Sequence, residues 1–210
     1  MDKPKYPKYK DYVIRDGRLV GEFERMYQDY ENPWDQAEEH WASDKAVGIH
    51  LMRKLGVRRI LELGCGLGQF TGDIAASDFS VLGVDVSATA IAKARLKYPA
   101  CGFRTGDILD FDIYRDFRPD LIVMAEITWY VLDKLDRFLG SLRKEFRDVY
   151  LLHLLVTYPP GVQRYGAEKF STLPQIMDYF GMEYLEWGEL RQSGRDTTKT
   201  YFLGRWPKAD

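Results

Sequence analysis

The sequence predicts an α/β protein built on an open, mostly parallel β-sheet. Its candidate strands are nearly continuous apolar runs, which is typical of strands that are buried on both faces. These runs alternate with helical segments, as in a sheet covered by helices on both sides. The first run ends in Gly64-Cys65-Gly66-Leu67-Gly68, where glycines let a strand turn sharply into a helix.

Composition narrows the class of protein. A chain of 210 residues with 45% hydrophobic residues suits one domain with a terminal extension. The net charge of −2 disfavours a general nucleic-acid binder, because such proteins carry a basic surplus. Two cysteines do not make a disulfide scaffold and fit a reducing compartment. No signal-peptide pattern or apolar run of about 20 residues occurs. We therefore expect a soluble cytoplasmic protein with no membrane or nucleic-acid partner; the oligomeric state stays open.

The predicted elements follow the alternation of apolar runs and capped segments. Ser87 caps a helix that Pro99 stops, and Gly56 and Gly181 end two others. Two C-terminal strands are joined by a loop too short for a covering helix, which predicts an antiparallel pair. The predicted strands span 58–63, 80–85, 101–105, 119–125, 149–156, 182–190 and 200–206, and the predicted helices span 42–55, 68–76, 87–97, 132–146 and 171–180.

The first 40 residues differ from the rest of the chain. They are rich in Tyr, Lys and Pro and show little period, which predicts an irregular arm with a short helical piece near 22–29. Asn32-Pro33-Trp34-Asp35 indicates a turn. We expect an N-terminal arm or lid over 1–40 and one domain over 41–210. Trp34 and Tyr27 are candidates for a lid over a cofactor; packing within the arm is the alternative.

Three acids accompany the glycine loop. Glu62 precedes it, Asp85 ends the second strand and Asp107 follows the third. In an open parallel sheet these positions gather at the carboxyl edge. Asp85 can accept ribose hydroxyls, each bond contributing about 1.5–3 kcal/mol, and Asp107 can accept an adenine amino group. Clustered carboxylates favour a ligand with a sulfonium and an ammonium over a pyrophosphate, and the loop is G-x-G-x-G instead of G-x-G-x-x-G.

Four runs in succession carry a family resemblance: the glycine loop, Gly83-Val84-Asp85-Val86-Ser87, Gly106-Asp107-Ile108, and 120–126. Over residues 40 to 155 they resemble the class I S-adenosylmethionine (SAM)-dependent methyltransferases. The resemblance implies a Rossmann-like, seven-stranded sheet of order 3-2-1-4-5-7-6 with strand 7 antiparallel and helices on both faces. It also implies that the glycines line the methionine part of SAM. The expected cofactor-binding residues are Glu62, Gly64, Cys65, Gly66, Gly68, Asp85, Val86, Asp107, Ile108, Glu126 and Trp34.

The flanks of this region are similar to a narrower group. Residues 23–27, Asn32-Pro33-Trp34-Asp35, Lys45 and 126–132 look like the corresponding segments of the nodulation protein S group. Those enzymes N-methylate a sugar amine of a chito-oligosaccharide, which implies a sugar or amino-sugar acceptor here. The Pro-Gly-Gly turn usual before the fifth strand is absent, and 145–148 stand in its place.

Catalytic candidates lie at the ends of the later strands. Glu126 ends the fourth strand and His153 lies in the fifth; each is a candidate proton acceptor, with a structural acid and a core histidine as the alternatives. His40 is a further residue that could face the cleft. No His/Cys cluster has metal-ligand spacing, so we expect no metal. The expected substrate-binding residues are Trp129, Tyr130, Tyr158, Arg164 and Tyr165, with core packing or a solvated loop as the alternatives.

The sequence therefore predicts a SAM-dependent methyltransferase that acts on a small-molecule acceptor by in-line displacement. An NAD(P)-dependent oxidoreductase and a non-catalytic SAM-binding protein stay open as alternatives. A nucleobase acceptor is disfavoured by the net charge and by the absence of an Asn-Pro-Pro-Tyr or Asp-Pro-Pro-Tyr run after the fourth strand.

Overall fold

A computed structural model describes residues 3–34, 42–146, 148–163 and 165–207. None of the helices in these ranges is both long and apolar enough to cross a membrane. The strands are β1 (Ile14–Arg15), β2 (Arg18–Leu19), β3 (Arg59–Leu63), β4 (Ser80–Asp85), β5 (Gly102–Thr105), β6 (Leu121–Ala125), β7 (Tyr150–Thr157), β8 (Glu183–Arg191) and β9 (Thr198–Arg205), and the helices are α1 (Phe23–Asp29), α2 (Ser43–Leu55), α3 (Gln69–Ala75), α4 (Ala88–Lys97), α5 (Leu135–Glu145) and α6 (Leu173–Phe180).

Seven of these strands form one sheet in the order β5-β4-β3-β6-β7-β9-β8. The strands from β3 to β7 pair in parallel, and β9 runs antiparallel to both of its neighbours. Numbered within the sheet, this is the order 3-2-1-4-5-7-6 with strand 7 antiparallel. The predicted fold class, strand order and direction are therefore confirmed.

The central strands are apolar on both faces because each face is covered by helices. Two adjacent residues of β3 point to opposite faces and show this. Leu61 packs in the cluster that includes residues of α5 and α6, whereas Ile60 packs in the cluster that includes residues of α2 and α3. Each such side chain stabilises the fold by about 1.5–3 kcal/mol when buried. Packing on both faces therefore holds the sheet in place, and the loops that could form a site lie at its carboxyl edge.

Helix ends agree with the capping residues in the sequence. Ser87 Oγ accepts a hydrogen bond from the Ala90 N–H at 3.0 Å at the start of α4. Thr172 forms a capping box with Gln175 at the start of α6, one residue after the predicted Ser171. Helix α5 begins three residues later than predicted, because residues 132–134 form a turn in which the Lys134 N–H donates to the Val131 carbonyl at 3.0 Å.

The N-terminal arm is more ordered than the sequence analysis expected. Strands β1 and β2 form a hairpin whose turn residues, Asp16 and Gly17, both have positive φ, at 53° and 73°. Tyr12, Met26 and Tyr27 are buried in a hydrophobic cluster of the arm. The helical piece predicted near 22–29 is confirmed as α1. The expectation that the rest of the arm is irregular was wrong, because an Asp-Gly turn and several aromatic side chains give this segment its own small core.

Helices α1 and α4 cap each other. Glu24 of α1 accepts hydrogen bonds from Ser87 Oγ at 2.7 Å and Thr89 Oγ1 at 2.6 Å, at the start of α4. Lys93 of α4 donates to the carbonyls of Tyr27 at 3.0 Å and Tyr30 at 3.2 Å, at the end of α1. Each charge has the sign that the helix dipole favours at that end. These contacts hold the arm against the edge of the sheet where the glycine loop lies.

Candidate functional site

The glycine loop connects β3 to α3 at the carboxyl edge of the sheet. Gly64 and Gly68 have φ of 72° and 75°, a conformation that other residues rarely adopt. A Cβ on Gly64 would lie 2.1 Å from Cγ2 of Ile127, and one on Gly68 would lie 2.7 Å from the Phe103 ring. Both glycines are therefore required by the backbone conformation and by close packing.

Asp85 is joined directly to this loop. Its Oδ2 accepts a hydrogen bond from the Gly66 N–H at 2.9 Å, and its Oδ1 accepts one from the Ser87 N–H at 2.9 Å. Burial raises the pKa of Asp85 above its ordinary value, and these two hydrogen bonds limit the rise. The neighbouring Val86 is apolar yet 51% exposed. The acid predicted to hold a ribose thus faces the glycine loop and lies next to the exposed side chain of Val86.

Glu62 lies beneath the loop. Its carboxylate is buried, and Oε2 accepts a hydrogen bond from Thr71 Oγ1 at 2.5 Å. Burial raises the pKa of Glu62 to about 7, whereas the Thr71 hydrogen bond and the charge of Lys45 act in the opposite direction. The position fits a supporting acid under a cationic ligand.

Asp107 follows β5 on the other side of Asp85. Its Oδ1 accepts the Leu109 N–H at 2.9 Å, and its Oδ2 forms an ion pair with Lys134. Partial burial raises the pKa of Asp107, but the hydrogen bonds from Lys134 and Leu109 outweigh it, so the pKa lies below its ordinary value. An adenine amino group at this carboxylate would share it with Lys134.

Two of the predicted cofactor-binding residues point into the core. The side chain of Cys65 packs in a cluster with Phe103, and that of Ile108 packs with Phe111 and Tyr114. Cys65 also donates its backbone N–H to the Val84 carbonyl at 3.0 Å. Their side chains are therefore unavailable to a ligand, which leaves only backbone atoms for the expected role.

Aromatic rings of the arm gather above the loop. Trp34 lies 5.0 Å from the ring of Tyr9 and 5.2 Å from that of Tyr130, and it forms a hydrogen bond with Tyr27. The pKa of Tyr27 lies well above its ordinary value; burial is the larger cause and the nearby charge of Asp85 is the next. The arm therefore brings its aromatic residues beside the acid at the end of β4.

Glu126 has the most unusual environment at this edge. Its backbone is in the left-handed region, with φ of 62°, where a residue with a side chain is strained. Oε2 accepts the Val156 N–H at 2.9 Å, whereas the buried Oε1 has no hydrogen-bond partner in the described structure. Burial raises the pKa of Glu126 to about 7. Strain and an unsatisfied acid oxygen together point to a ligand site.

His153 does not fit the predicted catalytic role. The ring is fully buried, stacked on Phe202 at 4.5 Å and edge-on to Phe180 at 4.8 Å, and Nε2 bonds to Thr128 Oγ1 at 2.7 Å. Burial lowers the pKa of His153 to about 3. It points to the α6 side of the sheet and is a core residue, so we withdraw it as a candidate proton acceptor.

Trp129 is likewise a core residue, because only 5% of it is exposed and its indole N–H donates to the Val156 carbonyl at 2.8 Å. This corrects its assignment to substrate binding. Tyr158 is 41% exposed and acts electrostatically on Tyr130, while Tyr165 is half-buried against the core. The predicted substrate residue Arg164 lies outside the described residues, as does His40.

The structure adds two charged residues that the sequence analysis did not identify. Asp44 of α2 is only 1% exposed, and its Oδ1 lies 2.6 Å from Nζ of Lys199 on β9. Its Oδ2 is buried without a hydrogen-bond partner in the described structure, and its charge acts on Glu126. The two residues are far apart in the sequence, and no motif connects them.

Comparison with known proteins shows what the central region is similar to. Residues 60–147 match the family model described as a methyltransferase domain. A curated relative, the 23S rRNA (uracil(747)-C(5))-methyltransferase RlmC of Actinobacillus succinogenes, is 30% identical over 106 residues. That match covers 45% of this chain and only 28% of the relative.

Solved structures share the fold over most of the chain. The N-methyltransferase NodS from Bradyrhizobium japonicum, in complex with S-adenosyl-L-homocysteine (SAH), superposes with a TM-score of 0.64 at 18% identity, over 85% of this chain and 94% of that one. The glycopeptide N-methyltransferase MtfA gives 0.60 at 15% identity, over 80% and 92% of the two chains. Magnesium protoporphyrin IX methyltransferase from Synechocystis PCC 6803, with bound SAM, gives 0.56 at 13% identity, over 95% and 90%.

Proposed function

We propose that this protein transfers a methyl group from SAM to a small-molecule acceptor in the sugar or amino-sugar class. Residues 60–147 match the family model described as a methyltransferase domain, and the sheet has the strand order predicted from the sequence. The observation that carries the proposal is the hydrogen bond between the Asp85 carboxylate and the Gly66 N–H. This hydrogen bond joins the acid that we assign to the ribose to the glycine loop that we assign to the methionine part. Structural neighbours that contain SAM or SAH support the choice of donor.

The described residues fit this donor by charge and shape. The carboxylates of Glu62, Asp85 and Glu126 lie along one edge, where they favour a cation and disfavour a pyrophosphate. Val86 offers an exposed apolar surface beside Asp85, and Trp34 with Tyr130 provides aromatic faces that attract a sulfonium by about 0.5–2 kcal/mol. In this proposal the methionine part of SAM contacts backbone atoms of the glycine loop, at Gly64, Cys65, Gly66 and Gly68. The adenine lies at Asp107 and Ile108.

SAM supplies a methyl group that its sulfonium has already activated. The chain contributes alignment of the acceptor and exclusion of water, which lower the barrier without covalent chemistry by the protein. Residues 3–34 act as a cover over this site, through the aromatic cluster and the contacts between α1 and α4. Cys65 and Cys101 are both free thiols, which supports the expectation that the protein works in the cytoplasm.

Calorimetric titration with SAH and with NADH tests the donor. We expect SAH to bind and NADH not to bind, because the acids repel a pyrophosphate. Asp85→Asn should weaken SAH by about 10-fold or more, the equivalent of one charge-assisted hydrogen bond. The matched control is Asp112→Asn, at a side chain that is 83% exposed, and it should leave SAH affinity unchanged. Tighter binding of NADH than of SAH would favour the oxidoreductase alternative instead.

Turnover with isotopically labelled SAM tests the acceptor. The panel should contain amino sugars, neutral sugars and a uracil-containing RNA oligonucleotide, since the curated relative modifies rRNA. We expect label to appear in a sugar and not in the RNA. Label found only in the RNA would replace the small-molecule acceptor by a nucleic acid, and SAH binding without any turnover would indicate a non-catalytic binding protein.

A further inference from the structure

The two edges of the seven-stranded sheet differ in length and in exposure. One edge is β5, a strand of four residues, and the other is β8, a strand of nine residues. Among the described residues β8 pairs with β9 alone, so the backbone groups on its outer side are open to another strand. Proteins usually keep edge strands short or cover them, because an open edge pairs with other chains. The length of β8 therefore indicates a surface that a further strand can occupy.

Two large apolar side chains of β8 are exposed to solvent. Leu185 is 52% exposed and Trp187 is 54% exposed. Trp187 also lines a groove of about 550 Å³ between β8 and α6, together with Leu173 and Met177 of α6. Tryptophan is enriched among the side chains that contribute most of the binding energy at protein interfaces. This edge of the sheet thus combines open backbone groups with an apolar side chain and a groove beside it.

The charges of β8 are complementary to a second copy of the same strand. Glu183 begins β8 and Arg191 ends it. When two copies pair antiparallel over their full length, the Glu183 end of each strand lies beside the Arg191 end of the other. Trp187, the middle residue, then lies opposite its own copy, and no two glutamates face each other. The bulge between Tyr184 and Glu186 shifts the local pairing by one residue and does not change which ends meet.

The charged side chains of β8 are free to adopt this arrangement. Arg191 is 77% exposed at its side chain, and its ion pair with Glu189, at 3.4 Å, is a surface contact. Such surface pairs contribute little to stability, so Arg191 can turn to Glu183 of a second copy at small cost. Glu186 is already paired with Lys54 of α2 at 2.6 Å. Its charge is therefore compensated before a second strand arrives.

We propose that this protein forms a symmetric dimer in which the β8 strands of two copies pair antiparallel and their sheets become one continuous sheet. The same patch serves on both copies, so the assembly closes at two. The two-fold axis is perpendicular to the sheet and leaves both Trp187 rings on the α6 side, each beside the groove of the other copy. It also turns the two carboxyl edges in opposite directions, so neither copy covers the other's glycine loop. The dimer is independent of the proposed function.

Sedimentation velocity of the full chain over a series of micromolar concentrations tests the inference. We expect an equilibrium of monomer and dimer with no larger species. Trp187→Lys brings two ammonium groups together at the two-fold axis and removes the indole, so it should raise the dimer dissociation constant by about 100-fold or more. The matched control is Leu96→Lys, at a side chain of α4 that is 85% exposed, and it should leave the dissociation constant unchanged.

A charge swap tests the direction and register of the pairing. Glu183→Arg and Arg191→Glu should each raise the dissociation constant by about 10-fold, because each creates two like-charged contacts across the interface. The combined variant Glu183→Arg/Arg191→Glu should restore the wild-type constant, since opposite charges then face each other again. Lys144→Glu, at an exposed position on α5, changes the net charge as Arg191→Glu does and should have no effect.

Three results would overturn the dimer. They are a wild type that stays monomeric at every concentration, a mass that grows beyond two copies, and a dimer that Trp187→Lys leaves intact. Single charge reversals without recovery in the combined variant would refute the antiparallel register. Circular dichroism and SAH titration of each variant show that it is folded. A wild type that dimerises but does not bind SAH would count against the proposed methyl donor and leave the dimer standing.

Discussion

Gly64→Ala should destabilise the protein far more than an ordinary glycine substitution. The left-handed backbone at Gly64, with φ of 72°, costs about 1–2 kcal/mol with a side chain. The new methyl group would also lie 2.1 Å from Ile127 Cγ2, and relief of such overpacking adds about 1–3 kcal/mol. The expected loss in the free energy of unfolding is therefore about 2–5 kcal/mol.

The matched control is Gly56→Ala, at the end of α2. Gly56 has φ of 68°, and a Cβ there meets no atom within 4 Å. Only the backbone cost of about 1–2 kcal/mol applies, so the difference between the two variants measures the clash alone. Urea unfolding followed by circular dichroism gives both values.

The double variant Gly64→Ala/Ile127→Ala tests the cause directly. If the methyl group collides with Ile127, removing that side chain should recover part of the loss, and the double-mutant cycle should give a coupling energy above about 0.5 kcal/mol. Equal losses for Gly64→Ala and Gly56→Ala, or a coupling energy near zero, would refute the packing argument. The glycine would then be required for its backbone conformation alone.

Three further predictions concern pH and the arm. Burial raises the pKa of Glu62 from 4.5 to about 7, so the folded state holds an extra proton and stability falls as pH rises through this range. Glu62→Gln should reduce that fall by about 2 kcal/mol between pH 5 and pH 7, and a fall between these two pH values that the variant leaves unchanged, in urea unfolding, would contradict the assignment. Burial lowers the pKa of His153 from 6.5 to about 3, so stability falls as pH drops below 6.5; His153→Phe should weaken this acid sensitivity in the same assay, and an unaltered acid limb would show that the ring is not held neutral in the core. Glu24→Gln should weaken the contact with α4 by about 1 kcal/mol and speed tryptic cleavage of the arm roughly fivefold, whereas wild-type cleavage rates would mean that Glu24 does not hold the arm.

The sheet was predictable because its strands are buried on both faces. An apolar run such as 119–125 is stable only where both of its faces are buried, as in the centre of a covered sheet. The observed strand, Leu121–Ala125, starts two residues later than predicted. The hairpin at 14–19 was missed although Asp16-Gly17 is a strong turn signal. A tyrosine- and lysine-rich composition hid it, because the aromatic residues that make its core also occur in irregular arms.

The glycine loop and the acids around it were also predictable, since they lie in short motifs at the ends of successive strands. The buried ion pair of Asp44 and Lys199 was not. Asp44 and Lys199 meet only through the packing of α2 on β9, and nothing local in the sequence connects them. His153 and Trp129 have residue types that suit a site. The strand that carries His153 is covered on both faces and has no solvent side, and the indole of Trp129 is buried with its N–H on the Val156 carbonyl. Residue type alone therefore could not place them.

The position of β9 has a consequence for biosynthesis. This strand is the last along the chain, yet it lies between β7 and β8 and supplies Lys199. The glycine loop, Asp85 and Asp107 have all been synthesised long before it. On the ribosome, the parallel strands that carry the glycine loop can therefore pair before β9 inserts between β7 and β8. A translation product truncated before β9 would keep the residues proposed for the donor, but Asp44 would be left buried without its Lys199 partner.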